Sequence, residues 1–374
     1  MTRDFVPKNF LRHVTGPLLE QYCRTLECGL DINSKDIDNI YISWQNLPKE
    51  KRDSIERDFR EVNDLSTEAG VMTLIGYAQY QGIDFTEELD RINGFQAKAL
   101  WVFLNHPDIF KSASVWYVVE HIMSGWREIT DLQAIDFQPD DSTRRSLESA
   151  LSDFYFRTEG RGRKCQVEIY VKEDRILFCG YPEDYAATDL SYDDTGILTR
   201  RVRKPVFDVY LLFYPKQGRL KVKARGGKDK VKALQKIFTE IALQRKFSFD
   251  NRKERIFELK GLKQRYFPFP TDPVDQIEDV TVKRLQLSWP DRSKRRIIVE
   301  AETTDQVYDI LDLLDIPLKD LHVTQALLRA KFPGKGNKGK VTFRLTWPNL
   351  CDLGESERHI KLRNYLKRWG IDCG

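Results

Sequence analysis

No Cys-x-x-Cys pair occurs in this sequence, and its six cysteines, Cys23, Cys28, Cys165, Cys179, Cys351 and Cys373, are scattered. That spacing argues against a zinc ribbon or a thioredoxin-like site and implies reduced thiols. Cys23 and Cys28 lie close together, but no second ligand pair follows, so they read as helix-packing residues. Also missing are Gly-x-Ser-x-Gly, His-Glu-x-x-His and Gly-x-Gly-x-x-Gly, the arrangements that mark a nucleophile elbow, a zinc protease and a dinucleotide site. No run of about 18 apolar residues exists, and the opening MTRDFVPKNFL lacks the basic flank and apolar core of a signal peptide. The expectation is a soluble, cytoplasmic protein without membrane association and without a cofactor.

What is present suits a globular chain. Apolar residues make up 41% and charged residues 32% of 374 positions, enough to build two or three cores and too apolar for extensive disorder. The net charge of +4 hides an asymmetry: residues 1–150 carry 16 Lys and Arg against 25 Asp and Glu, leaving 45 against 32 for the remainder. Residues 201–250 alone hold 14 basic and 4 acidic side chains, a density that points to a polyanionic partner.

The first part reads as helices. Leu11, Val14, Leu18, Leu19, Tyr22 and Leu26 recur at helical spacing, as do Trp116, Val119, Met123 and Trp126. His106 precedes Pro107 in a turn and His121 falls in an apolar helix, so both read as structural; His13, His322 and His359 stand alone. DFQPDDSTRRSLESALSDFYF predicts a further helix capped by Asp141 or Ser142 and leading out of the first domain. Past Gly160 the period changes from about 3.6 to 2, as in CQVEIYV and RILFCGY. The fold class is therefore α+β: an all-α N-terminal domain (1–159, acidic), a basic α+β subdomain (160–265) and a second α+β subdomain (266–374).

The second half suggests a degenerate repeat, in which each segment has a strand ending in aromatic-Pro, a polar turn, a second strand and a helix. Its three members begin at VYLLFYP, LQLSWP and LLRAKFP. Val222-x-Ala224 followed by Val231 and Leu234 aligns with Val299-x-Ala301 followed by Tyr308 and Leu311. Independent ββα units would produce the same pattern. QRYFPFPTDPVDQ, with three prolines, marks an ordered connector.

Three stretches carry candidate chemistry. GKGNKGKV, residues 334–341, resembles a phosphate loop, but such a loop needs Ser or Thr where Val341 stands and a helix where VTFRLTW alternates as a strand. It reads instead as a hairpin tip displaying Lys335, Lys338 and Lys340, candidate point charges for a nucleic-acid phosphate, with a merely solvated loop as the plainer reading. In RLKVKARGGKDKVK, strand geometry puts Arg219, Lys221, Lys223 and Arg225 on one face, and Lys228, Lys230 and Lys232 in the next helix turns. Four like charges on a sheet face, and cations at a helix N-terminus, call for an anion; a solvated edge strand is the plainer reading. YPEDYAATDLSYDDTG reads as a loop whose Glu183, Asp184, Asp189, Asp193 and Asp194 are candidate holders of a divalent cation for phosphodiester cleavage.

The leading expectation is a non-enzymatic nucleic-acid-binding protein, contacting the DNA or RNA phosphate backbone through residues 219–236 as part of a larger assembly. The exposed cations Arg358, Lys361, Lys367 and Arg368 of a C-terminal helix, with Leu362, Tyr365, Leu366 and Trp369 as its apolar face and Gly370 as cap, support that expectation. Two alternatives stand beside it. One is a protein-interaction subunit, in which acidic Glu300, Glu302, Asp305, Asp309, Asp312 and Asp315 pair with the basic unit within or between copies. The other is a metal-dependent nuclease built on the acids at 183–194.

Overall fold

The computed structural model describes residues 5–14, 16–32, 36–122, 125–130, 132–193, 195–246, 256–290, 295–314, 317–334, 339–354 and 356–372. It comprises two compact units, Met1–Ile122 and Met123–Gly374. Helices α1 (Pro7–His13), α2 (Gly16–Leu26), α3 (Ile37–Gln45), α4 (Lys49–Asp64), α5 (Glu68–Tyr80), α6 (Thr86–Asp90), α7 (Phe95–Asn105) and α8 (Pro107–Glu120) build the first unit. Local chemistry sets their ends. Pro7 and Pro107 occupy first turns, where no N–H is needed, and the Thr67 hydroxyl accepts from Gly70 N at 3.0 Å.

The expected spacing from Leu11 to Leu26 is split between α1 and α2; Leu11, Val14, Leu18, Leu19 and Tyr22 are buried, whereas Leu26 is exposed. Phe59 centres the core, with ring centroids of Phe10, Tyr22 and Trp44 at 4.8, 4.9 and 5.6 Å. The Tyr22 hydroxyl donates to buried Asp58 at 2.9 Å, which removes the desolvation penalty of an unpaired polar pair. The stripe ending in Trp126 is interrupted: α8 stops at Glu120 with exposed His121 as its C-cap. Trp126 is buried in the second unit, after Gly125 turns the chain at φ 83°. Met123 lies outside the described residues.

The second unit opens with β1 (Arg127–Ile129) and α9 (Asp141–Glu159). The cap of α9 is Asp140, whose carboxylate accepts from Thr143 N at 2.7 Å, one residue before the expected Asp141. The helix packs on β2 (Cys165–Lys172) and β3 (Arg175–Pro182), so its apolar stripe serves the sheet that follows it. A separate two-stranded ribbon, β4 (Ala187–Tyr192) and β5 (Leu198–Arg203), comes next. Then β6 (Val209–Tyr214), β7 (Arg219–Lys223) and α10 (Lys228–Ile237) complete an antiparallel sheet of order β1-β7-β6-β3-β2. Leu147, Leu151 and Tyr155 of α9 meet Val167, Phe178, Phe213, Leu220, Val222, Val231 and Leu234 in one core.

A second antiparallel sheet, order β12-β11-β10-β8-β9, is formed by β8 (Asp279–Ser288), β9 (Arg296–Glu300), β10 (His322–Lys331), β11 (Lys340–Thr346) and β12 (Leu350–Cys351). Helix α11 (Thr304–Leu313) follows β9, and α12 (Glu357–Arg368) follows β12. The first two repeat candidates are thus each a hairpin followed by a helix, and in the third the short strand β12 stands between hairpin and helix. The equivalent positions Val222 and Val299, Val231 and Tyr308, and Leu234 and Leu311 are all buried. The proline-rich connector is tied down: Trp369 Nε1 donates to Pro270 O at 2.9 Å, and Phe269 meets the Trp369 ring at 5.0 Å. The protein is α+β with a helical N-terminal region, and among the described residues no helix is long and apolar enough to cross a membrane.

Candidate nucleic-acid interface

Strand β7 points its cations to the face opposite Leu220 and Val222, as alternation requires. That face is not an open row of charge. Arg219 stacks over the Tyr214 ring at 3.6 Å and faces Glu128 at 3.8 Å. Lys221 is 2% exposed, with its ammonium 5.4 Å from the Trp126 ring centroid and Glu128 as its cross-strand neighbour. Lys223 is half-buried, and burial lowers its pKa. Rings and one carboxylate therefore offset part of the like-charge repulsion that alternation implies, while burial adds a cost to the charged form of Lys223.

The helix side divides as well. Lys230 forms an ion pair with Glu159 and lies over Gly226, where a Cβ would come within 2.7 Å of the lysine stem. Arg225 and Lys228 are exposed and Lys232 is half-buried. Helix α10 starts at Gly227 without a side-chain cap, so its first N–H groups carry the positive end of the helix dipole. Lys340 opens β11 opposite Lys331 and is exposed; Lys335 and Lys338 lie outside the described residues. Val341 is buried and the strand after it alternates buried and exposed residues, the geometry of a hairpin arm.

Below the ribbon sits a cluster that sequence spacing does not reveal. Arg161 bridges Glu159 at 2.6 Å and Asp184 at 2.5 Å, while Arg225 approaches Asp184 at 3.9 Å. Burial works against ionisation of both carboxyls. Hydrogen bonds and charge from Lys230 and Arg161 outweigh it at Glu159, and those of Arg161, Tyr185 N and Arg225 do so at Asp184, holding each below its ordinary value. Lys204 adds a contact to Glu183 at 3.6 Å. These contacts join residues 159–161, 183–185, 204 and 225–230 into one patch, whose exposed cations are Lys204, Arg225 and Lys228, beside exposed Tyr185 and Asp229.

The acids considered for metal binding are dispersed. Glu183 and Asp184 are engaged at the ribbon base, Asp189 pairs with Arg203 farther along it, and Asp193 accepts from Thr195 N and Ile197 N, both at 2.9 Å, at its tip. Asp194 lies outside the described residues, among which no group of three or more His, Cys, Asp or Glu has metal-binding geometry. Of the sixteen residues read as a loop, the six from Ala187 to Tyr192 form strand β4.

Acids of the second sheet are matched locally. Glu300 faces Arg284 at 3.9 Å; Glu302 faces Lys283 at 2.6 Å and Arg329 at 3.4 Å; Asp309 and Asp312 share Arg265 at 2.7 and 2.8 Å. Asp315 lies outside the described residues. On α12, Leu362, Tyr365, Leu366 and Trp369 are buried and Gly370 takes φ 67°, as expected. The cations of this helix are more engaged than expected: Lys361 pairs with Glu357 at 3.2 Å, Arg358 lies over Phe332 and Arg368 over Tyr365. A cleft of about 550 Å³ lined by Asp136, Glu173, Asp174 and Lys216 has the wrong sign for an anion.

Among the described residues, the densest exposed cations belong to β5 and its exit. Arg200, Arg201, Arg203 and Lys204 are all exposed within the acid-free stretch LTRRVRK. Lys204 connects them to the patch at Arg225. No protein-family model matches the chain, and no curated protein matches it significantly.

Proposed function

We propose that this is a non-enzymatic, cytoplasmic nucleic-acid-binding protein that grips a phosphate backbone with the second unit. The gripping groups are Arg200, Arg201, Arg203 and Lys204 on the ribbon, with Arg225, Lys228 and the uncapped N-terminus of α10 beside its base. The observation that carries this reading is the convergence of two basic segments, far apart in sequence, on Asp184 and Glu183. Most of these cations face a nearby carboxylate, whereas Arg200 has no ion-pair partner among the described residues and is available, with the exposed ends of its neighbours, to an external polyanion. The five described cysteines are free thiols, which suits a reducing compartment.

Backbone neutralisation has a characteristic signature, because bound counterions are released. Affinity for generic DNA or RNA is expected to fall by at least about tenfold between roughly 50 and 200 mM salt. Absence of binding to any nucleic acid at the lower salt refutes the proposal.

A further inference from the structure

The ribbon has two unlike faces. Cross-strand partners share a face, so Asp189, Ser191, Thr199, Arg201 and Arg203 lie on one side and Leu190, Tyr192, Leu198, Arg200 and Val202 on the other. The first is internally satisfied: Asp189 pairs with Arg203, Thr199 donates to Ser191 O at 3.0 Å, and Arg201 adds its charge near Asp193. The second is open. Leu190, Tyr192, Leu198 and Val202 are 62%, 66%, 55% and 73% exposed. Arg200 stands between Leu198 and Val202, across from Leu190, and among the described residues it has no ion-pair partner. Exposed apolar side chains grouped around one unpaired arginine mark a contact surface rather than a solvated one.

We propose that this ribbon enters the major groove of duplex DNA with the Leu190–Tyr192–Leu198–Arg200–Val202 face towards the base edges. The inference rests on the nucleic-acid reading above and names its substrate class. Six residues per strand give a ribbon about 20 Å long, and a major groove about 12 Å wide admits two strands. Arg200 is suited to the O6 and N7 acceptors of guanine, and the aliphatic neighbours to thymine methyl groups. The A-form groove of duplex RNA is too narrow for such a face. A single strand would require several stacking rings, and the face offers one, Tyr192. Charge complementarity favours DNA over a protein partner: the open face carries Arg200 and no acid, Asp189 lies on the opposite face paired with Arg203, and Lys204 and Arg225 add charge at the ribbon base.

The fold holds the ribbon ready. Asp184 N donates to Pro205 O at 2.6 Å and Phe207 N to Pro182 O at 3.0 Å at its root. At its tip the Asp193 carboxylate closes the turn on Thr195 and Ile197.

The test compares the full chain on random-sequence DNA duplexes, the same sequences as RNA duplexes and as single strands, and DNA duplexes with uracil in place of thymine. Preference for duplex DNA over duplex RNA of about tenfold or more is expected, with weaker binding to uracil-containing DNA. Arg200→Ala lowers DNA affinity about tenfold. The double variant Leu190→Ser with Leu198→Ser removes the uracil effect, with an unchanged melting temperature. Equal binding to all ligands with silent ribbon variants overturns the groove assignment and leaves backbone binding standing. Loss of a dimer in the double variant, with DNA binding intact, gives the face to a second copy instead. No binding to any nucleic acid at low salt refutes both readings.

Discussion

Strands β7 and β5 are alike in sequence and opposite in use. RLKVKAR and LTRRVRK each concentrate four cations within seven residues. In β7 they are drawn into the fold: Arg219 lies on Tyr214, Lys221 is buried beside Trp126, and Lys223 is half-buried. Arg225, past the strand end, remains exposed. In β5 and its exit all four cations reach solvent. Charge density alone therefore does not locate a binding surface; burial decides which cations an external anion can reach.

The largest expected effect breaks the β7 side. Lys221→Glu places a second carboxylate opposite Glu128 in a buried position and is expected to cost about 3 kcal/mol or more in chemical denaturation. Stability equal to wild type would show that Lys221 is solvated. Arg161→Met comes next, because it leaves Glu159 with Lys230 alone and Asp184 with only the Tyr185 N–H and the more distant Arg225; the expected loss is about 2 kcal/mol at neutral pH.

Acid sharpens that second result. The folded-state pKa values of Glu159 and Asp184 lie below the ordinary 4.5 and 3.8. Their contribution is complete above those ordinary values and is lost as pH falls through the lower folded values. The melting-temperature gap between wild type and Arg161→Met should therefore be constant from neutral pH to about 5 and narrow below about 4. A gap independent of pH would contradict the depressed carboxyls. The smallest stability effect belongs to the ribbon: Arg200→Ala, Arg201→Ala and Arg203→Ala should each change stability by no more than about 0.5 kcal/mol.

Local features were the legible ones. Period 3.6 located the N-terminal helices, period 2 the strands after Gly160, and the alternation of Val341, Phe343 and Leu345 exposed the imitation phosphate loop as a hairpin arm. Partnership was less legible. The stripe of α9 is the same whether it packs on preceding helices or on the following sheet, and only the fold shows it on β2 and β3. Alternation assigned Lys221 to a face but carried no information about what lies against that face. The ribbon was hidden because its acids suggested a loop. The signal was present in Leu190 and Tyr192 alternating towards an Asp-Asp-Thr-Gly turn, with Leu198, Arg200 and Val202 alternating away from it. The pairs Glu159 with Lys230 and Asp184 with Arg225 join positions too distant for any sequence period to connect.

The contrast between the two strands is tested most directly by the salt dependence of DNA affinity in three proteins: wild type, Lys221→Met, and a variant with Arg200, Arg201, Arg203 and Lys204 all changed to Ala. Each cation that neutralises a phosphate contributes about 0.9 to the slope of log K against log salt. Wild type and Lys221→Met should share one slope, and the ribbon variant should lose about 1 to 2 units of it. A ribbon variant with the wild-type slope, or a Lys221→Met protein that stays folded with a reduced one, would contradict the assignment of the binding surface to β5.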